Sequence, residues 1–150
     1  MDQDQLSQLN ADVRARRVRL WHGGVAGLRP GDQLLPPAVT GATGMRQESI
    51  DAGFKRIATS ESQVYVTTER SLARAIAAHW SARERGRGRG WVYRVDLEEF
   101  DLAIDDDLPR GPFISFQLPS ARVAIVADSG VDSTDPRHAR VLQRFVGRIP

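Results

Sequence analysis

The sequence predicts a single α+β domain whose sheet is mainly antiparallel. Segments that alternate between apolar and polar residues, as strands do, outnumber the segments with a helical repeat. Most connections between the predicted strands are too short to contain the crossover helix of a parallel sheet. The 150 residues are enough for one domain with a substantial core, so we expect one domain over residues 1–150.

Composition argues against several classes of protein. The chain is 41% hydrophobic and 27% charged, and no apolar run reaches the roughly 18 residues that a membrane-spanning helix needs. The N-terminus lacks the basic and then apolar pattern of a signal peptide, which predicts a cytoplasmic protein. Because the sequence has no cysteine, disulfides, thiolate nucleophiles and zinc knuckles are excluded. The net charge of only +2 does not favour nucleic acid as the default partner.

The first predicted elements are a flanking helix and a strand. Leu6, Leu9 and Val13 recur at helical spacing, which predicts a short amphipathic helix. The segment that follows has the strand period of two, with Leu20 and His22 on one face. We therefore expect the strand to carry His22 to the edge of a packed sheet.

Two glycines, Gly23 and Gly24, follow His22 directly. Backbone without side chains lets a flat ligand lie against the peptide plane, where N–H and C=O groups can recognise a carboxamide. We interpret this stretch as half of a nicotinamide-nucleotide pocket. The alternative is a histidine satisfied within the protein and followed by a simple turn.

Turn and loop residues dominate the segment after this strand. Pro30 and Gly31 stand at the central positions of a predicted type II turn, and Pro36-Pro37 is expected to end any regular element. Residues 38–60 predict a long irregular connection, either a binding loop or a disordered segment. Within it, only residues 49–57 could form a helical turn or two.

The next unit is a strand followed by a helix. The strand over residues 63–67 directs two valines to one face and Tyr65 to the other. Thr67 or Thr68 is expected to cap the helix. Helical spacing predicts a buried stripe that makes His79 a packed histidine. The stripe consists of Leu72, Ala75, Ile76, His79 and Trp80.

The second half of the chain contains two charged segments between strands. The arginine–glycine run Arg83–Gly90 predicts a flexible loop, either solvated or in contact with phosphate or nucleic acid. The adjacent carboxylates of Asp105–Asp107 predict an exposed loop, unless a cation or strong hydrogen bonds face them. A last helix follows Asp135-Pro136. Further strands are expected over residues 91–97, 113–118 and 121–127.

The available residue types leave few catalytic routes. His22, His79 and His138 lack the spacing of metal ligands, and no serine lies in a G-x-S-x-G motif. Cleavage of the bond between nicotinamide and ribose requires neither a metal nor a covalent nucleophile. Its leaving group departs neutral, so the protein mainly orients the ligand and stabilises positive charge on the ribose.

Five segments also occur in a recognisable order. They are Leu20–Gly24, Gly27–Asp32, Val64–Thr68, Ala73–Ala77 and Trp91–Val95. This ordered set resembles the ADP-ribosyltransferases, nearest to the rifamycin ADP-ribosyltransferase family, over about residues 18–127. The resemblance implies an ADP-ribosyltransferase-like α+β fold of split, mainly antiparallel β-sheets with flanking helices. It also implies NAD as the co-substrate and no metal.

The resemblance implies roles for individual residues. His22 is expected to hydrogen-bond the adenosine ribose, the Gly23 main chain to contact the nicotinamide amide, and Tyr65 to stack on the nicotinamide ring. We also expect Gly24 and Thr67 to contact NAD. These residues together form the expected co-substrate pocket.

The resemblance leaves two alternatives for the third catalytic residue, one in the acidic loop and one on a late strand. The rifamycin family carries an aspartate in an acidic loop, which implies Asp105 or Asp106. Other members of the superfamily carry a glutamate near the start of a late strand, where this chain has Gln117. Glutamine is neutral, so on that alignment the enzyme would lack its usual acid.

The implied activity is transfer of one ADP-ribose to a hydroxyl acceptor, with a small molecule such as a rifamycin-type antibiotic favoured over a macromolecule. Two departures from the family concern the acceptor side. Gly24 replaces a common threonine, and Leu35–Val39 replaces a glycine-phenylalanine-x-serine segment. The alternatives are a toxin-like transferase acting on protein or nucleic acid, a relative that has lost transfer, and an arginine-rich binding module using Arg83–Arg89.

Overall fold

The computed structural model describes residues 1–40, 62–83, 89–107 and 112–146. Its helices are α1 (Gln3–Arg14), α2 (Pro37–Thr40), α3 (Arg70–Arg83) and α4 (Arg137–Val146). Its strands are β1 (Leu20–Gly24), β2 (Gln33–Leu34), β3 (Val64–Thr67), β4 (Trp91–Asp96), β5 (Ala103–Ile104), β6 (Ser115–Leu118) and β7 (Ala121–Ser129).

The seven described strands form one sheet in the order β2-β7-β4-β1-β3-β6-β5, and every neighbouring pair is antiparallel. The prediction of mixed α and β structure with an antiparallel sheet is therefore confirmed. The expectation of separate, split sheets is wrong, because hydrogen bonds connect all seven strands.

The sheet nevertheless has a narrow junction between β1 and β3. Strand β1 pairs with β4 along its whole length, and β3 pairs with β6 along its whole length. Within the described strands, the register between β1 and β3 is limited to Trp21 opposite Thr67. We call this junction the seam. It divides the sheet into one block of β2, β7, β4 and β1 and a second block of β3, β6 and β5.

The connection between β6 and β7 shows that the sheet is strongly bent. Four strand spacings separate these strands in the sheet, about 19 Å if the sheet were flat. Yet Pro119 and Ser120 alone link Leu118 to Ala121, a connection that reaches at most about 11 Å. The chain therefore passes from one block to the other at a bend, as in sheets folded over a shared core. The two blocks face each other across that core.

Two apolar clusters form on the two faces of the sheet. The inner cluster lies between the blocks and receives Val13 from α1, in keeping with the predicted amphipathic helix. It includes Leu20, Val64, Val66, Tyr93, Val95, Phe116, Leu118 and Val123. The outer cluster lies between the first block and α3, and comprises Trp21, Ala73, Ala77, Ala78, Val92 and Val131. Strand β4 is thus buried on both faces, because Val92 and Tyr93 are both fully covered.

Helix α3 approaches the sheet closely because two glycines lie beneath it. A Cβ atom on Gly23 would stand 2.0 Å from the carbonyl oxygen of Ala73, and one on Gly90 would stand 2.2 Å from that of Ala77. Neither contact is possible for real atoms, so any side chain at these positions would force the helix away. Gly23 therefore has a structural reason to be glycine.

Several elements that were predicted from short sequence patterns are confirmed. The turn at Pro30-Gly31 has a hydrogen bond from the Asp32 N–H to the Arg29 carbonyl, and Gly31 has a φ of 92°. Both features identify a type II turn. Helix α4 follows Asp135 as expected, and the Asp135 carboxylate accepts from the main-chain N–H of Arg137.

Other expectations are wrong or fall outside the described residues. Pro37 begins the short helix α2 rather than ending regular structure, because proline suits a first helical position. His79 is exposed rather than packed, since α3 turns its alanines toward the sheet. The short strands β2 and β5 were not expected from the sequence. The binding-loop and helical-turn predictions for residues 41–60 and the loop prediction for residues 84–88 lie outside the described residues.

Candidate functional site

The candidate site is centred on His22, near the end of β1 and beside the seam. Its Nδ1 atom lies 2.8 Å from the main-chain carbonyl oxygen of Tyr65 on β3. Because a carbonyl oxygen can only accept, Nδ1 carries the hydrogen and donates it. The side chain of His22 thus connects the two blocks next to the single register pair between Trp21 and Thr67.

Burial lowers the pKa of His22 below its usual value, and the hydrogen bond to the Tyr65 carbonyl opposes this shift only in part. The imidazole is therefore neutral near pH 7, with its proton on Nδ1 and a lone pair on Nε2. Among the described residues, no protein group donates a hydrogen bond to Nε2. His22 can consequently accept a hydrogen bond from a ligand hydroxyl.

Gly23 and Gly24 have different surroundings although they are adjacent. Gly23 faces α3, which occupies the space that its side chain would need. Gly24 faces the side of His22, and a Cβ atom built on Gly24 would lie 2.8 Å from His22 Nε2. The His22 ring therefore occupies the space that a side chain on Gly24 would need.

The side chain of Tyr65 lies on the opposite face of the sheet from that of His22. Val64 and Val66 belong to the inner cluster, so alternation along β3 directs the Tyr65 ring to the outer face. Tyr65 pairs in register with Gln117 on β6, which places these two side chains side by side. The His22 and Tyr65 rings therefore do not face each other, and they are linked through the Tyr65 main chain.

Thr67 is buried at the end of β3, and its hydroxyl accepts a hydrogen bond of 3.0 Å from the main-chain N–H of Glu69. This bond shapes the turn just before α3. The expectation that Thr67 or Thr68 caps the helix is wrong, because α3 begins at Arg70 and Glu69 therefore stands at the N-cap position.

Asp105 has the environment of a structural residue. It is 7% exposed, and its two carboxylate oxygens accept hydrogen bonds from the Ser115 hydroxyl at 2.6 Å and the Asp107 N–H at 2.9 Å. The main-chain N–H of Asp105 also donates to the Ser115 carbonyl. These contacts hold the acidic loop against the end of β6. The expectation of an exposed loop is wrong for Asp105, because hydrogen bonds compensate the burial of its charge.

Asp106 is exposed and is held by Gln117. The Gln117 side-chain amide donates to a carboxylate oxygen of Asp106 at 2.9 Å and accepts from the Asp106 main-chain N–H at 3.1 Å. Gln117 itself is buried, so its position is well defined by packing. The structure therefore brings Tyr65, Gln117, Asp105 and Asp106 together on the outer face of the second block.

Tyr93 was not expected at the site from the sequence. It is fully buried, and its hydroxyl donates to the Val25 carbonyl at 2.5 Å and accepts from the Leu28 N–H at 3.2 Å. Its ring centroid lies 6.5 Å from that of His22, with the two planes 24° apart. Tyr93 thus fixes the segment that follows Gly24. The strand pattern predicted an inward Tyr93, but the partners of its hydroxyl come from a loop 65 to 68 residues away.

Neither a metal site nor a membrane-spanning helix is found in the described part of the chain. No group of three or more potential metal ligands occurs there, and no helix there has the length and apolar character needed to cross a membrane. The comparisons with known proteins add no assignment: no family model matches the sequence, and no curated protein matches it at a significant level.

Proposed function

We propose that this protein is a mono-ADP-ribosyltransferase that cleaves NAD between nicotinamide and ribose and transfers ADP-ribose to a hydroxyl acceptor. The main observation in support is the hydrogen bond between His22 and the Tyr65 carbonyl. It places the ring proton on Nδ1, so that the imidazole, which burial keeps neutral, has its lone pair on Nε2 for a ribose hydroxyl. It also connects His22 to the strand that carries Tyr65 beside Gln117 and Asp106.

Cleavage of NAD between nicotinamide and ribose needs groups that the side chains of Tyr65 and Asp106 can provide. When the bond breaks, nicotinamide leaves as a neutral molecule with the bonding electron pair, and positive charge develops on the ribose. The acceptor oxygen then forms the new bond to the anomeric carbon, and its proton passes to a carboxylate or to water. A carboxylate near the ribose stabilises the positive charge, and an aromatic ring holds the nicotinamide by stacking. Asp106 and Tyr65 supply these groups in the proposal.

Asp106 is a better candidate than Asp105 for the third catalytic residue. Both carboxylate oxygens of Asp105 already accept hydrogen bonds inside the protein, whereas one oxygen of Asp106 has no partner among the described residues. Asp106 is also exposed, so a ligand can reach it. Gln117 then acts as a positioning residue, because its amide binds both the carboxylate and the main chain of Asp106.

We propose a hydroxyl-bearing small molecule as the acceptor, with a rifamycin-type polyketide as the first compound to test. The support for this choice comes from the sequence resemblance. A protein or nucleic-acid acceptor, and NAD hydrolysis without an acceptor, are the competing outcomes of the experiment. A nucleic-acid acceptor bound through the arginine–glycine loop would show a strong dependence on salt.

The test is release of free nicotinamide from NAD, measured with no acceptor, with a rifamycin-type polyketide, with an oligonucleotide and with lysate protein. We expect the polyketide to increase release and to become labelled. Repeating the assay at roughly 50 and 200 mM salt separates phosphate-dependent acceptors from neutral ones. Release that is equal without acceptor would indicate a hydrolase, and no release under any condition would contradict the proposed function.

A further inference from the structure

The acidic loop, Asp105–Asp107, is attached to two side chains of β6. Ser115 and Gln117 are two apart on this strand, so their side chains share a face of the sheet. The Ser115 hydroxyl donates to Asp105 at 2.6 Å, and the Gln117 amide contacts Asp106 at 2.9 and 3.1 Å. The main-chain carbonyl of Ser115 also accepts from the Asp105 N–H at 3.3 Å. One strand therefore holds two successive residues of the loop.

The side chain of Asp105 closes a short turn within this loop. One of its carboxylate oxygens accepts from the Asp107 N–H at 2.9 Å, and the other accepts from the Ser115 hydroxyl. A carboxylate that accepts from the main chain two residues further on forms an Asx turn, whose middle residue lies at the tip. The middle residue is Asp106. The Ser115 hydroxyl thus orients the carboxylate that fixes the main chain on the far side of Asp106.

The hydrogen bond between Ser115 and Asp105 is of a strong kind. A hydroxyl that donates to a carboxylate at 2.6 Å makes a charge-assisted bond, and Asp105 is only 7% exposed. Removal of the hydroxyl would therefore leave a buried carboxylate oxygen without its donor. The strain of that loss falls on the loop rather than on β6, because main-chain pairing with β3 holds the strand in place.

Strand β6 also connects the acidic loop to the strand that carries Tyr65. Ser115 pairs in register with Thr67, and Gln117 pairs with Tyr65. At the start of β6, the Ile114 carbonyl accepts from the Thr68 N–H at 3.0 Å. Ser115 therefore belongs to a rigid part of the sheet, from which its hydroxyl can fix the loop relative to Tyr65.

We infer that Ser115 is a positioning residue for Asp106 and acts through the Asp105 carboxylate. This inference rests on the proposed function, in which Asp106 stabilises positive charge on the ribose. Such stabilisation depends steeply on geometry, since a displacement of about 1 Å can cost about 100-fold in rate. Ser115 itself touches no reacting atom in this scheme. Its loss therefore lowers turnover and leaves NAD affinity unchanged.

The test is a graded series at one position. Ser115→Ala removes the hydroxyl, Ser115→Cys replaces it by a weaker donor, and Ser115→Thr retains it. Ser129→Ala is the matched control, because Ser129 is an exposed serine at the end of β7 in the first block. Nicotinamide release gives kcat and the KM for NAD of each variant. Ser115→Ala is also combined with Asp106→Asn, which completes a double-mutant cycle.

We expect Ser115→Ala to lower kcat about tenfold with KM within about twofold of the wild type, a smaller loss of kcat than that of Asp106→Asn. Ser115→Cys loses less, and both Ser115→Thr and Ser129→Ala retain the wild-type kcat. In the Asp106→Asn protein, Ser115→Ala has no further effect, because the carboxylate that it positions is already absent. If Ser115→Ala does not fold, the difference between the cysteine and threonine variants carries the same test.

Hydrogen exchange tests the attachment of the loop without catalysis. The N–H groups of Asp106 and Asp107 donate to side chains of Gln117 and Asp105, whereas the Thr68 N–H donates to a main-chain carbonyl. We expect exchange at the two loop amides to become at least about tenfold faster in Ser115→Ala and to stay unchanged at Thr68. The threonine and control variants keep the wild-type rates.

Three results would overturn the positioning role. They are a wild-type kcat in folded Ser115→Ala, a tenfold loss that persists in the Asp106→Asn protein, and exchange that accelerates equally at Thr68. Failure of the proposed function looks different. Nicotinamide release with an unchanged kcat in Ser115→Ala would leave the enzyme standing without this role. Absence of release in the wild type would refute the proposed function, and the exchange rates would then decide by themselves whether Ser115 holds the loop.

Discussion

Gly23 and Gly24 are adjacent and chemically identical, yet they lie in opposite environments. Gly23 lies under α3 with the Ala73 carbonyl in the space of its absent side chain. Gly24 lies against the His22 ring, whose Nε2 atom is 2.8 Å from the position of the absent Cβ. The same residue type therefore makes room for helix packing on one face of β1 and for the His22 side chain on the other. The two glycines that follow His22 are therefore required for different physical reasons, and a shared sequence motif does not imply a shared role.

The two faces of β1 also differ in how firmly they are held. On the outer face, Trp21 packs in the outer cluster beneath α3, and the Arg70 guanidinium lies 5.0 Å from the centre of the Trp21 ring. On the inner face, the rings of His22, Tyr93 and Trp91 lie in a row. We expect substitutions on the outer face to affect stability first and substitutions of His22 to affect NAD binding first.

The largest expected effect is that of Gly23→Ala. The added Cβ would lie 2.0 Å from a main-chain oxygen, so α3 would have to move, and we expect a loss of about 3 kcal/mol or more in the free energy of unfolding. Gly24→Ala meets the His22 ring rather than the main chain, and because a side chain can shift more readily than a helix, we expect a smaller loss of about 1 kcal/mol. Urea unfolding of the two variants measures the difference. Equal losses would contradict the distinction between the two faces.

The second prediction separates the two aspartates. Asp106→Asn removes the exposed carboxylate while keeping an oxygen for the Gln117 amide, and we expect turnover in nicotinamide release to fall about 100-fold with little change in NAD affinity. Asp105→Asn leaves one of its two donors without an acceptor, and we expect a loss of about 1–2 kcal/mol in stability. Steady-state kinetics and urea unfolding are measured on both variants. If Asp105→Asn had the larger effect on turnover of the folded enzyme, the roles would be reversed.

The third prediction concerns pH and His22. Since the folded-state pKa of His22 is lowered, the unfolded chain takes up its proton first as the pH falls. The stability that neutral His22 contributes is thus complete above 6.5, the reference pKa, and is lost as the pH falls from there toward the folded-state value. The slope from one group is at most about 1.4 kcal/mol per pH unit.

His22→Asn provides the control for this prediction, because its amide can still donate to the Tyr65 carbonyl but does not titrate. Urea unfolding of both proteins between pH 7.5 and pH 5.5 gives the two slopes. We expect a shallower slope for His22→Asn than for the wild type. Identical slopes would mean that burial does not lower the pKa of His22.

The last prediction, with one of the smaller expected effects, concerns Tyr93→Phe. This change removes the hydroxyl that joins the Val25 carbonyl to the Leu28 N–H and keeps the ring beside His22. We expect a loss of about 1 kcal/mol in stability, together with faster hydrogen exchange at the Leu28 amide. The matched control is Phe116→Leu, a buried change on the other block. It should lower stability without selectively exposing the Leu28 amide.

Much of the fold could be predicted from local sequence patterns. The period of two in β1, β3 and β4 identified which residues share a face, and the Pro30-Gly31 turn followed from the backbone preferences of its two residues. The sequence also predicted an acidic loop and grouped His22, Tyr65 and the aspartates as candidates. It could not separate Asp105 from Asp106, because their burial depends on Ser115 and Gln117 on a later strand.

The sequence by itself determined the alternating faces of the strands, the type II turn and the position of α1. Only the tertiary structure decided that the strands form one bent sheet with a seam, that α3 covers Gly23 while the His22 ring lies against Gly24, and that His22 and Tyr65 meet through a carbonyl rather than through their rings. The reason is that strand faces, turns and helix positions depend on residues that are neighbours in the chain. The sheet order and the contacts of Gly23, Gly24, His22 and Tyr65 depend on which distant segments pack together, and local preferences carry no information about that choice.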